Sequence, residues 1–111
     1  EEKVEAEIFT VVEESPHYPG GDEMRIKFLQ ENIKYPQAAR EALISGLVYI
    51  TFVIEIDGSI TDIRVLKGIG GGCNEEAVRV IGLMPKWIPG KQRGKPVRVQ
   101  FSMPVQFKLA G

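Results

Sequence analysis

The sequence is short of the groups that most chemistry needs. It has one cysteine, one histidine and one tryptophan in 111 residues. With Cys73 alone, neither an intrachain disulfide nor an all-cysteine metal site can form, and the redox compartment is left open. With His17 alone, and no clustered Asp and His, no metal site is expected, and no cofactor. No apolar run approaches the roughly 18 to 20 residues of a membrane span, and the front of the chain has no signal-peptide pattern. The chain starts at Glu1 rather than at a methionine, so a fragment or a processed product is expected. From Ala77 onward there is no acid against seven bases, while residues 1–23 hold eight acids (Glu1, Glu2, Glu5, Glu7, Glu13, Glu14, Asp22, Glu23) against Lys3. A solvated acidic tail and an ordinary basic face account for this most simply. The other reading is a basic face that meets an acidic partner or the chain's own acidic arm.

What is present is one domain's worth of chain, with hydrophobic and charged fractions of 43% and 26% that place it among soluble globular proteins. Its clearest pattern is Val97 to Leu109, apolar at every odd position and polar at every even one apart from Pro104. That period of two describes a half-buried β-strand. Proline gives no N–H to a neighbour and is confined to edges, strand starts and bulges, so the strand is expected at a sheet edge. A long open edge is usually blunted unless a partner pairs there, which makes this a candidate docking strand.

The rest of the chain supplies a frame for it. Residues 1–7 read as the end of a linker, and Ile8 to Val12 as an extra short strand at the margin of the domain, which proper spans 12–111. Asp22 is placed to cap a helix over Met24 to Asn32, with Ile26, Leu29 and Ile33 on its apolar side. Pro36 suits the first position of a second helix, with Ala39, Ala42 and Leu43 inward and Gly46 as the stop. Leu47 to Ile56 reads as a central strand, with Val48, Ile50, Phe52, Ile54 and Ile56 on one face. Asp57-Gly58 signals a type I′ hairpin into Ser59 to Lys67. Gly68 to Gly72 breaks the strand, and Asn74 is placed to cap a third helix bearing Ala77, Val80, Ile81 and Met84. Lys86 to Pro96 reads as a loop. The expected class is α+β: a three-stranded antiparallel sheet in the order second hairpin strand, first hairpin strand, final edge strand, packed on two to three helices.

Several catalytic or binding patterns fall short. Gly68 to Cys73 lies where a phosphate loop would, but a dinucleotide fingerprint needs glycine at 73 and a P-loop needs Gly-Lys-Ser/Thr; a flexible connector is the simpler reading. Cys73 near a helix N-terminus invites a lowered pKa, but nothing places His17 beside it as a base. The neighbours Glu13/Glu14 and Glu75/Glu76 do not face each other as an acid/base pair and read as solvated charges. Lys86, Lys91, Arg93, Lys95 and Arg98 around Trp87 superficially resemble a nucleic-acid surface, yet Phe101 and Phe107 are in phase with the buried face, so neither nucleic acid nor a small-molecule substrate is expected.

The ordered combination Tyr35-Pro36-Gln-Ala-Ala-Arg, Gly46 to Ile54, Asp57-Gly58-Ser-Ile, Val65 to Gly68, Glu76-Ala77, Pro85-Lys-Trp87-Ile-Pro89-Gly90 and Val97 to Phe107 resembles the C-terminal domain of TonB. Val12 to Gly21 further resembles the version found in Bacteroidetes-type bacteria. The resemblance covers about residues 12 to 109. It implies a non-enzymatic periplasmic domain, anchored in the inner membrane by a segment absent from this chain and driven by an ExbB/ExbD-like motor. Its partner would be the TonB-box strand of outer-membrane transporters. Carried over by position, the pairing surface would be Val97, Arg98, Val99, Gln100, Phe101, Ser102 and Met103, ahead of Pro104. Asn32, Ile33 and Lys34 match the segment family members turn toward the transporter plug, with Tyr35 and Pro36 shaping it and Trp87 packing. Gly70 to Gly72, and Asn32 in place of the family's frequent glutamine, depart from the pattern. The alternatives are a sensory or interaction module of another envelope protein and a homodimer formed through the same edge. Ile8 to Val12 could also add to that edge and occlude it.

Overall fold

The computed structural model describes residues 7–109. The elements in chain order are β1 (Ile8–Phe9), α1 (Asp22–Asn32), α2 (Gln37–Glu41), β2 (Gly46–Ile54), β3 (Ile60–Lys67), α3 (Cys73–Gly82), β4 (Lys91–Gln92), β5 (Lys95–Pro96) and β6 (Arg98–Phe107). Of the expected linker over 1–7, only Glu7 lies within the described residues.

The main sheet has the order β1-β6-β2-β3. β2 lies at its centre, antiparallel to both β3 and β6, as the hydrophobic pattern requires. β1 adds a fourth strand, parallel to β6, in the register Ile8 to Arg98 and Phe9 to Val99. Val48, Ile50, Phe52 and Ile54 of β2 are fully buried against Ala77, Val80 and Ile81 of α3 and against Val105 and Phe107 of β6. Trp87 closes one end of this core, edge-on to Tyr18, Phe52 and Phe101 at centroid distances of 5.8, 5.7 and 5.1 Å.

Several local expectations are corrected. Ile56 does not share the core face, because β2 ends at Ile54 and Ile56 is left exposed. The turn that follows is not type I′: Gly58 has φ 89° while Asp57 is not left-handed. Instead Gly58 N–H donates to Glu55 O and Glu55 N–H to Ser59 O, both at 2.8 Å, which is the three-residue loop ending in a left-handed glycine. A Cβ on Gly58 would lie 2.1 Å from the Trp87 carbonyl oxygen, and Trp87 N–H donates to Gly58 O at 2.9 Å. The turn is thereby tied to the tryptophan. A type I′ pair does occur in the segment read as a loop, where Arg93 and Gly94 (φ 54° and 76°) join β4 to β5.

The helix ends also differ. Gly21 and Gly72 occupy the N-cap positions of α1 and α3, so neither Asp22 nor Asn74 caps. Asn74 Oδ1 instead accepts the Ile69 N–H at 3.0 Å and holds the glycine loop. That loop is packed rather than free, since a Cβ on Gly71 would meet Ala39 Cβ at 2.9 Å. Pro36 is the N-cap of α2, not its first residue, and α2 stops well before Gly46. Leu43 turns left-handed (φ 58°) and Ile44 N–H reaches back to Ala39 O at 2.8 Å, a Schellman closure with leucine where glycine is usual. Ala39 is buried as expected, but Ala42 and Leu43 are exposed.

Candidate functional site

The pairing of β6 with β2 is continuous from Val99 opposite Ile54 to Phe107 opposite Gly46, and passes through Pro104 opposite Tyr49. A proline can sit in an unbroken antiparallel ladder only where its nitrogen points away from the partner. Residues in phase with Pro104, namely Gln100, Ser102 and Gln106, therefore turn their main-chain groups to the outer side. Odd-numbered residues turn theirs to β2 and bury their side chains: Val99, Met103, Val105 and Phe107 are at most 4% exposed. Among the described residues β1 pairs with β6 at Arg98 and Val99, and Thr10 to Val12 continue beside Gln100 and Phe101 around a second pocket. From Ser102 to Phe107 no strand is paired to this edge.

The structure divides the expected pairing surface. Val97 precedes β6 and donates its N–H to Gly90 O at 3.0 Å. Arg98 and Val99 lie under β1, and the Arg98 guanidinium holds Glu55 (Nε to Oε1 2.8 Å). Gln100, Phe101, Ser102 and Met103 lie beyond β1. Gln100 Nε2 and Ser102 Oγ both meet Thr51 Oγ1 at 3.2 Å, so the face beside the edge is polar and ordered.

Asn32 to Pro36 is fixed from below by α3. Glu76 forms a two-point pair with Arg79 (both contacts 2.7 Å) and accepts the Lys34 N–H at 2.6 Å, while Arg79 donates to Asn32 O at 2.9 Å. These hydrogen bonds, Arg79's foremost, hold the Glu76 carboxyl below its ordinary range. Glu76 is thus a structural anchor, not a solvated charge; its side chain is 10% exposed. Tyr35 donates its hydroxyl to Ile44 O and stands edge-on to Phe107 at 5.7 Å. Pro36 packs beside Gly72.

The two predicted patches meet only in part, at an open groove of about 380 Å³ between α1 and the C-terminal half of β6. Ile33 and Met103 both line it, with Arg25, Ile26, Leu29, Leu47, Pro104 and Gln106 among the other walls. Sequence reasoning missed Arg25, Leu47 and Gln106, and misassigned Ile26. The apolar row Ile26, Leu29, Ile33 was the signal, but α1 buries none of its residues completely and Ile26 is 48% exposed. Part of that row faces the groove instead of the core.

Other candidate chemistry is not assembled. Cys73 is buried and its thiol is pushed up by that burial and then by Glu75 and Glu76, whereas His17 is exposed and its main chain pairs with Ile88. Trp87 is 2% exposed, so the basic residues around it have no stacking face there. The arm meets the Lys91 to Arg93 segment through main-chain groups rather than through paired charges. Glu13 accepts the Arg93 N–H at 2.8 Å, and Glu14 exchanges main-chain bonds with Lys91 at 2.9 and 3.1 Å. Among the described residues no helix is long and apolar enough to cross a membrane, and no group of three His, Cys, Asp or Glu could hold a metal.

Comparison with known proteins matches residues 31–109 to the family model for the Gram-negative bacterial TonB protein C-terminal region. No curated protein matches. Two solution structures of the Helicobacter pylori TonB C-terminal domain are similar. One, of its residues 194–285, is 27% identical with a TM-score of 0.55 and covers 78% of this chain and 91% of that one. The other, of residues 179–285, is 28% identical with a TM-score of 0.56 and covers 84% and 88%.

Proposed function

The chain belongs to the TonB C-terminal domain family, and from that premise we propose that it docks to outer-membrane transporters by accepting their TonB-box strand on the outer edge of β6. Domains of this family are periplasmic, couple transport without catalysis, and interact with such transporters. The observation that carries the reading is the one-sided pairing of β6: a complete ladder toward β2 and an unpaired edge from Ser102 to Phe107.

The docking stretch is Ser102 to Phe107 while β1 is in place, and extends back through Gln100 and Arg98 toward Val97 when β1 leaves. Asn32 to Pro36 borders the far end of the guest. Main-chain bonds give a grip that is indifferent to most side chains, and the neighbouring surface gives preference. Force along the docked strand runs across its hydrogen bonds, so they resist together. In the full-length protein, an ExbB/ExbD-like motor would supply that force through an N-terminal membrane anchor, making this domain the coupling end of an energy transducer.

Proline at Ser102 tests the ladder, because it removes an outward N–H and leaves the β2 side intact. With a synthetic TonB-box peptide from a transporter of the same organism, Ser102→Pro should weaken binding about five- to tenfold, the worth of about one hydrogen bond of 1 to 1.5 kcal/mol. Ser102→Ala should not weaken it, and Gln106→Pro, in the same phase, should act like Ser102→Pro. A folded Ser102→Pro domain that binds as tightly as the parent contradicts the reading.

A further inference from the structure

Resting on that edge reading, we infer that α1 is a side-chain wall for the docked strand, and that Arg25 on it selects an acidic residue in the guest. The groove beside Met103 to Gln106 is lined by Ile26, Leu29 and Ile33 from α1 and by Leu47, Met103, Pro104 and Val105 from the sheet, with Gln30 and Gln106 among them. Ile26 and Leu47 are 48% and 38% exposed, so the wall has area still to bury. Exposed apolar surface continuous with an open strand edge is what a guest side chain covers on pairing.

Among the described residues Arg25 is the one ionisable side chain lining this groove. It is four-fifths buried, at 20% exposure, and its Nε is enclosed with no hydrogen-bond partner. The carboxylate it pairs with among the described residues is Asp22, at 3.7 Å and 79% exposed, close to the limit of an ion pair and open to solvent screening. A guanidinium presents five donors in a planar fork that matches a carboxylate. An enclosed cation with an unused donor in this groove therefore calls for an acidic side chain, next to an aliphatic or aromatic one that covers Ile26 and Leu47.

The test walks one glutamate along a ten-residue peptide of alternating valine and threonine, with a glutamine control at each position, and reads affinity by fluorescence anisotropy. At one position glutamate should bind the parent domain about tenfold more tightly than glutamine, as expected for a charge-assisted bond. That ratio should fall to about one in Arg25→Gln and survive in part in Arg25→Lys, with circular dichroism reporting the fold of each variant. A ratio near one at every position in the parent, or a ratio unchanged in Arg25→Gln, overturns the assignment. Ser102→Pro separates the two ideas. If it leaves every peptide's affinity intact, the edge reading fails whatever the ratio, and if none of the peptides binds, both fail. Should the parent instead sediment as a dimer that Ile26→Asp dissociates, with no glutamate preference, the groove belongs to a second copy and the inference is wrong.

Discussion

At Glu76 a single carboxylate joins α3 to the segment bordering the groove, through Arg79 and the Lys34 N–H. Its pKa in the folded chain is lowered from the ordinary 4.5, first by the Arg79 hydrogen bonds. A depressed carboxylate stabilises the fold fully above its unfolded pKa, and that contribution is lost as pH falls through the lowered value. Glu55, lowered chiefly by Arg98, acts in the same direction. Glu76→Gln should therefore be less stable than the parent at neutral pH and lose less on acidification below 4.5, as read from urea unfolding at several pH values. Parallel pH profiles would show that the carboxylate does not carry this role. The sequence made Glu76 legible as an acid in a first helical turn. It could not show the partner, because Lys34 is 42 positions away and offers a main-chain N–H.

Among the elements, β6 was legible in its faces, which the period of two carries, and in its place beside β2, which follows from the crossover. That the β2 ladder runs unbroken through Pro104 was not legible, because proline reads as a break. β1 was legible as a short β-prone stretch that could add to the edge of β6, but its length and parallel direction were not, because a two-residue strand has no periodicity to read and its pairing is set by the path of the arm. That path is fixed downstream by the bonds of Glu14 to Lys91 and His17 to Ile88. α1 was misread in one respect: an apolar row says that a surface is covered, not by what. The end of α2 escaped because a left-handed leucine gives none of the signal that glycine gives. β1 occupies Arg98 and Val99, two residues that the expected pairing surface included. Deleting residues 1–10, which spares Glu13 and Glu14, should strengthen TonB-box peptide binding severalfold in a calorimetric titration. Unchanged affinity would show that β1 does not compete for the edge, and weaker binding that it supports the guest.

Across the whole molecule the pieces serve one arrangement. β2 and α3 bury the core, Trp87 and the Gly58 turn close one end, and Glu76 with Tyr35 fix the segment beside the opposite half of β6. The outer side of β6 is then a rigid main-chain edge with β1 at one end and the α1 groove at the other. Amide hydrogen exchange by NMR, with and without a saturating TonB-box peptide, tests this most directly because it reads each main-chain N–H separately. The account predicts that Ser102 and Gln106 amides slow by more than about tenfold on binding, while those of Phe101 and Met103, already turned to β2, change far less. A complex that forms with no added protection at Ser102 and Gln106 would contradict it.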